Sequence, residues 1–287
     1  MSCTRPTSSF TSIDTFRRLE EPASFLHDRC MTAIGYRNAL VTGGDRRIGA
    51  AIVRSLADAG LAIAIHSRQN GDEAKSLASE IESAGGRARL ISGDLSSEID
   101  IENLIRAGAE ALEGPIDCLI NNASVFERDE IGSVSRESWD KHLDVNLWAP
   151  VKLIQNMSEL LPVGRPGAVV NILDERVWNL TPDFLSYTVS KAGLWTLTRT
   201  LALALAPYIR VNAIGPGPTL PSPRQSVEQF EAQAAATPLG HGADPKEIGA
   251  AVRYILEAPS MTGQMIALDG GQHLGWTMPG ETGDTVE

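Results

Sequence analysis

From residue 37 onward the chain alternates short apolar runs with longer stretches of helical spacing, and this alternation restricts the fold more than any other feature. The runs at 38–42, 61–66, 88–92, 118–121, 167–173, 210–214 and 265–268 read as strands. Helical spacing fills the segments near 48–59, 72–84, 98–112, 136–161, 185–206 and 245–257, with Ile52, Val53 and Leu56 on one face of the first. Strands separated by amphipathic helices pair in parallel through right-handed crossovers, which puts helices on both faces of the sheet. The expected fold class is therefore α/β, with one doubly wound domain over 37–275. Residues 1–36 mix Ser, Thr, Pro and charge without sustained periodicity and read as a poorly ordered N-terminal extension, with 276–287 as a C-terminal tail. Met31, just ahead of the first strand, offers a second start site for that extension.

Composition narrows the partners. A formal net charge of −11 disfavours nucleic acid and anionic membrane surfaces, both of which attract basic patches. No apolar run approaches the ~20 residues of a membrane span. Cys3, Cys30 and Cys118 have no metal-ligand spacing, and an odd count makes a poor disulfide framework. Free thiols, no metal and a cytoplasmic location are the expectation.

The first strand runs into Val41-Thr42-Gly43-Gly44-Asp45-Arg46-Arg47-Ile48-Gly49 and then a helix. At such a junction, backbone N–H groups and the helix dipole hold a pyrophosphate, so a Rossmann-type dinucleotide site is expected around Gly43, Ile48 and Gly49. Arg47 stands where the fingerprint has its middle glycine. It suits either a surface helix end or a guanidinium that reaches a cofactor phosphate or a substrate carbonyl.

The second strand ends in His66-Ser67-Arg68-Gln69-Asn70, where NAD-selective sites carry an acid for the ribose hydroxyls. A carboxylate there would repel a 2′-phosphate. Arg68 attracts one, and Ser67 and Asn70 can donate hydrogen bonds, so NADPH is the expected cofactor. Asp94-Leu95 after the third strand is placed to bracket the adenine, and Asn121-Asn122-Ala123 after the fourth to line the cofactor groove.

Tyr187-Thr188-Val189-Ser190-Lys191 carries the chemistry. Residues four apart share a helix face, which brings the Lys191 ammonium near the Tyr187 phenol. A nearby positive charge favours phenolate and suits the tyrosine to proton transfer.

The Thr-Gly turn, Asn121-Asn122-Ala123, Asn146, the Tyr187/Lys191 pair and Gly215-Pro216-Gly217 together resemble the short-chain dehydrogenase/reductase family over about residues 37–275. The resemblance implies that Tyr187 transfers the proton and that Lys191 holds the nicotinamide ribose. Asn146 would organise a proton-relay water, and Pro216 and Gly217 would contact the nicotinamide. Residues 218–238 would form a mobile substrate lid, and the assembly would be a homotetramer.

The departures from that family are more informative. Thirteen residues before the tyrosine, where the family has Ser, this chain has Asp174. Ketone reduction builds negative charge on oxygen, and a carboxylate about 4 Å away opposes it by ~4 kcal/mol at an effective dielectric near 20. A carboxyl group is better suited to ring nitrogens, that is, to C=N reduction. As a strand-end residue Asp174 also suits a cap on the following loop. Arg47, the run Asn121-Asn122-Ala123-Ser124-Val125-Phe126, and Asp174 with Tyr187 and Lys191 resemble pteridine reductases and bacterial dihydromonapterin/dihydrofolate reductases. The ending Leu268-Asp269-Gly270-Gly271-Gln272-His273-Leu274 is similar to the bacterial branch.

In that subfamily a pterin stacks between the nicotinamide and an aromatic ring, a role that falls on Phe126. Ser124 and Arg47 would contact pterin and cofactor phosphates. Phe126 also suits simple core, and Ser124 a small filler. Arg176 and Trp178, just past Asp174, are placed for substrate contact but left unassigned, and Gln264 and His273 are expected to be structural. The expected activity is NADPH-dependent reduction of a dihydropterin or dihydrofolate to its tetrahydro form. A carbonyl or 3-oxoacyl reductase, and a non-catalytic NADPH-binding protein, are the alternatives.

Overall fold

The computed structural model describes residues 35–222 and 224–275, and the expected N-terminal extension and C-terminal tail lie outside those residues except at 35 and 36. Seven parallel strands form one sheet in the order β3-β2-β1-β4-β5-β6-β7. They are β1 (Asn38–Val41), β2 (Ala62–Ser67), β3 (Arg87–Ser92), β4 (Cys118–Asn121), β5 (Gly167–Ile172), β6 (Ile209–Pro216) and β7 (Met265–Leu268). The helices are α1 (Arg47–Asp58), α2 (Asp72–Ser83), α3 (Glu98–Ala111), α4 (Arg136–Leu143), α5 (Ala149–Leu160), α6 (Leu185–Ala204), α7 (Val227–Ala235) and α8 (Pro245–Glu257). The fold is the doubly wound α/β class that the alternation implies.

Strand side chains alternate between the two faces, and each face has its own core. Ala39 and Val41 of β1, Ile63 and Ile65 of β2, and Ala168, Val170 and Ile172 of β5 join one cluster with Ile52, Val53 and Leu56 of α1 and Ile248 and Val252 of α8. The intervening Leu40, Ala64 and Val169 join the opposite cluster, with Leu104 and Ile105 of α3 and Leu153 and Ile154 of α5. Complete burial of a Leu, Ile or Val side chain stabilises by about 1.5–3 kcal/mol. The three fully buried α1 side chains therefore hold that helix, although its exposed face is ordinary. Among the described residues, no helix is long and apolar enough to cross a membrane.

Two elements differ from the expected pattern. The segment 136–161 is not one helix, because a π-turn at Asp144–Trp148 separates α4 from α5. Pro150 has no N–H to give the Asn146 carbonyl, so the ladder slips by one residue and Ala149 N–H reaches the Asp144 carbonyl. The second is α7, inside the expected lid, which starts with a Ser226/Gln229 capping box and buries none of its residues.

The strand order reverses between β1 and β4, since the chain leaves the β3 edge and returns beside β1. In open parallel sheets, ligand crevices form at the carboxyl ends of strands beside such a reversal. Every candidate site residue follows a strand end or sits on a helix near one.

Candidate active site

A cleft of about 210 Å³ opens at the carboxyl ends of the strands. Of the residues singled out in the sequence, Arg47, Ile48, Asn122, Ser124, Phe126, Asp174, Tyr187, Lys191, Pro216 and Gly217 line it. Gly43, Gly49, His66, Ser67, Arg68, Asp94, Leu95, Ala123 and Asn146 are not in its lining.

The wall beside β1 and β4 is built from main chain. Gly43 takes a positive φ of +57°, and a Cβ on Gly49 would stand 2.0 Å from the Gly43 carbonyl oxygen, so only glycine allows α1 to approach the turn so closely. Thr42 Oγ1 accepts from the N–H groups of Asn122 and Ala123 at 2.9 and 3.0 Å. The Asn122 amide donates to the carbonyls of Thr42 and Gly43, both at 2.9 Å. His66 is buried and presents no free ring nitrogen to the cleft. Its Nδ1 accepts from Gly43 N–H at 3.3 Å, and its Nε2 lies 3.0 Å from the Gly93 carbonyl. That pairing fixes the neutral Nε2–H tautomer, and burial holds the ring below the ordinary imidazole pKa. The N-cap of α1 makes no side-chain hydrogen bond and the first turn carries no acid, so its amides keep their affinity for an anion.

At the far end of this wall, Ser67 donates to Asn70 Oδ1 at 3.2 Å. The exposed Arg68 guanidinium pairs with Asp94 at 2.6 Å. Asp94 lies below the usual carboxylate range through hydrogen bonds from Ser96, with Arg68 adding to the effect. Leu95 is buried beneath it.

The opposite wall is built from side chains. Tyr187 donates its hydroxyl to Asp174 Oδ2 at 2.8 Å. Asp174 Oδ1 accepts Arg176 N–H at 2.9 Å, which caps the short 3-10 turn Glu175–Val177, and Arg176 Nη1 stands 3.4 Å from Oδ2. The same carboxyl group is thus both loop cap and partner of the phenol. All three contacts are donors, so the geometry suits an ionised carboxylate. Lys191 lies in α6 one turn beyond the tyrosine, with Nζ 5.7 Å from the Tyr187 ring and donating to the Ile172 carbonyl at 2.9 Å. Burial lowers the Lys191 pKa to about 8 against the pull of Asp174.

Asn146 stands behind the cleft. Its side chain accepts Val125 N–H at 2.8 Å and Ser124 Oγ–H at 3.2 Å, and donates to the Val125 carbonyl at 2.9 Å and Ser190 Oγ at 3.1 Å. Those four contacts use its full amide capacity, so the side chain clamps the 124–126 loop. Phe126 stacks on Phe184 with centroids 4.5 Å apart and 7° between planes, and meets the Tyr187 ring edge-on at 4.7 Å. It is packed and also lines the cleft.

Other side chains border the cleft, and of these Arg224, Phe230 and Gln233 carried no signal in the sequence. Arg176, 8% exposed, stands 5.6 Å from the Phe126 centroid and 5.3 Å from that of Phe184, a cation–π arrangement. Arg47 donates to the carbonyls of Leu220 and Pro221 at 3.2 and 2.9 Å, across the mouth of the cleft. Arg224 donates to the Phe126 carbonyl. Phe230 and Gln233 of α7 close the same side.

Comparison with known proteins agrees with this geometry. A family model described as Enoyl-(Acyl carrier protein) reductase matches residues 43–273. The crystal structure of FolM alternative dihydrofolate reductase 1 from Brucella canis, complexed with NADP, is 50% identical, covers 86% of this chain and 97% of its own, and superposes with a TM-score of 0.82. A 3beta-hydroxysteroid dehydrogenase 1 from Eggerthella lenta is 30% identical over 83% of this chain and 94% of its own length. A 3-oxoacyl-[acyl-carrier-protein] reductase from Synechocystis is 28% identical over 84% and 98% respectively. The match over residues 43–273 shows that this chain, an oxidoreductase, belongs to the short-chain dehydrogenase/reductase family.

Proposed function

We propose that this protein is an NADPH-dependent pteridine reductase, converting a dihydropterin or dihydrofolate to its tetrahydro form. The observation that carries the reading is the Asp174 carboxyl group 2.8 Å from the Tyr187 hydroxyl. A carboxylate there disfavours an oxyanion by the ~4 kcal/mol of Coulomb repulsion expected at about 4 Å and an effective dielectric near 20. The same group accepts N–H donors from a nitrogen heterocycle. Likeness to the Brucella dihydrofolate reductase at 50% identity, against about 30% for the steroid and 3-oxoacyl enzymes, supports the same choice.

NADPH fits the other wall. The uncapped first turn of α1 and the close approach of Gly49 to Gly43 suit a pyrophosphate, and the exposed Arg68, which a 2′-phosphate would draw from its pairing with Asp94, suits that phosphate. When bound, the cofactor supplies the hydride. Gly43, Ile48 and Gly49 would hold its phosphates, with Ser67 and Arg68 at the 2′-phosphate. Asp94 and Leu95 would flank the adenine, Asn122, Ala123 and Ser124 the groove, and Pro216 and Gly217 the nicotinamide.

Tyr187 and Asp174 hold the proton at the reacting nitrogen, and the Lys191 ammonium stabilises the phenol's negative form. Phe126 and Ser124 border the substrate plane, and Arg47 closes over it. The reaction consumes one hydride and one proton for each C=N bond reduced. An NADPH-oxidation assay across dihydrobiopterin, dihydromonapterin, dihydrofolate and a ketone panel tests the reading. Turnover of at least one reduced pterin well above every ketone is expected, and ketone turnover without pterin turnover contradicts it.

A further inference from the structure

Behind the Phe126–Tyr187 contact lies a buried polar cluster that the proposed chemistry does not use. It joins His142 of α4, Ser186 of α6 and Asp129 of the loop between β4 and α4, exposed by 0%, 0% and 2%. His142 Nε2 stands 3.1 Å from Glu127 N–H, which can only donate, so Nε2 carries no proton. Nδ1 lies 2.9 Å from the Ser138 carbonyl, which can only accept, and 2.7 Å from Ser186 Oγ. His142 is therefore a neutral Nδ1–H imidazole. The Ser186 hydroxyl gives its own proton to Asp129 Oδ2, and Asp129 also accepts Ser186 N–H at 3.1 Å and Ser138 Oγ–H at 3.0 Å.

The arrangement answers a structural need at the start of α6. Phe184, the N-cap of α6, sits in the left-handed region at φ 57° and offers no side-chain cap. Asp129, from the loop that carries Phe126, satisfies the first turn instead, two residues from Tyr187 at most. Burial raises the Asp129 pKa, but hydrogen bonds from Ser186 and Ser138 outweigh it and hold the carboxyl below its ordinary value. Burial likewise lowers His142, against the Ser138 carbonyl, Asp129 and Glu127.

The Phe126 backbone is thus clamped on both sides. Asn146 holds Val125 through its N–H and carbonyl, and His142 holds Glu127 through its N–H. We propose that His142 is a positioning residue, which with Ser186 and Asp129 locks the Phe126 loop to the first turn of the Tyr187 helix and so sets the substrate ring against the phenol. The proposal rests on the reading of the Phe126 face as the substrate site. Removing the lock loosens the ring seat and spares the wall beside β1, where His142 has no contact. Misplacement by an ångström or less is enough to show in binding and turnover.

Three variants separate the two ring nitrogens. His142→Gln places an amide oxygen near the Nε2 position, His142→Asn places an amide near Nδ1, and His142→Leu offers neither. For His142→Leu, about a tenfold rise in pterin KM is expected, with NADPH affinity within about twofold of wild type. His142→Gln should recover most of that loss and His142→Asn should not. If the leucine protein does not fold, Ser186→Ala serves, with a KM rise of about threefold to tenfold expected. Equal pterin KM in all folded variants overturns the proposal, as does a loss shared equally with NADPH binding. Nitrogen-15 NMR of the imidazole gives an independent readout: a neutral ring protonated at Nδ1 is expected, and an Nε2–H or doubly protonated ring overturns the lock. A wild-type enzyme inactive on every pterin counts against the proposed substrate alone, because the NMR arm still decides the tautomer.

Discussion

The two walls of the cleft are held in different ways. Beside β1 and β4, Thr42, Asn122 and His66 bind the main chain of a turn whose glycines leave no room for another residue. On the opposite wall, Asp174, Arg176, Tyr187 and the Phe126–Phe184 stack meet through side chains from separated parts of the chain. Across the mouth, Arg47 donates to the Leu220 and Pro221 carbonyls, and Arg224 to that of Phe126. A wall made of backbone accepts few sequences and serves one shape of ligand. A wall made of side chains can change its chemistry by a single substitution, as Asp174 for Ser illustrates.

Damage to the first wall should leave the chemistry of the second intact. Gly49→Ala puts a Cβ 2.0 Å from the Gly43 oxygen, so the turn must open. Overpacking of this kind costs about 1–3 kcal/mol, and a loss of that size in NADPH binding would read as roughly 5- to 150-fold in affinity by fluorescence titration. The ratio of pterin to ketone turnover should stay unchanged. A shift in that ratio would show that the walls are coupled.

The second wall should show itself in pH dependence. With a Lys191 pKa of about 8, the ammonium beside the phenol is present below that pH and discharged above it. Pterin kcat/KM should therefore fall as pH rises through about 8, by up to roughly tenfold per unit. The stability effect has the opposite sign. Between about 8 and the ordinary lysine value, the unfolded chain binds the proton and the native chain does not, so stability from this residue grows with pH. A Tm comparison of wild type with Lys191→Met across that range checks the sign. Activity that stays flat from pH 7 to 9.5 would contradict the role given to the ammonium.

The smallest effect is expected at the mouth. Arg47→Ala removes two exposed hydrogen bonds to Leu220 and Pro221, each worth about 1 kcal/mol net. Pterin KM should rise about threefold to tenfold in steady-state assays, with kcat changed less. A larger loss in kcat than in KM would assign Arg47 to the chemistry rather than to closure.

The same contrast explains what the sequence reveals. Strand positions such as Ala39, Leu40 and Val41 announce their alternate faces by period alone, and Gly43, Gly49, Tyr187 and Lys191 lie at short fixed spacings along single elements. Their neighbourhoods follow from local geometry. Asp174 is legible by its offset from Tyr187, yet its bond to Arg176 is not, because no periodic pattern marks a buried arginine on a three-residue turn. The Asp129–Ser186–His142 cluster joins residues up to 57 apart in the chain and leaves no local trace. Helix α7 escapes because it buries nothing, so it carries no apolar stripe. The π-turn before α5 went unread because the helical spacing of 136–161 is continuous; its one trace is Pro150, four residues after Asn146, whose missing N–H shifts the ladder.

The carboxyl group beside the phenol is the feature on which the proposed chemistry depends. Its most direct test is the ratio of dihydropterin to ketone kcat/KM in wild type and in Asp174→Ser, measured by NADPH oxidation on the same preparation. Relief of ~4 kcal/mol of repulsion corresponds to about a thousandfold, and the ratio is expected to fall by two to three orders of magnitude, with ketone turnover rising in absolute terms. A variant that keeps the wild-type ratio, or gains no ketone activity while losing none toward pterin, contradicts the account.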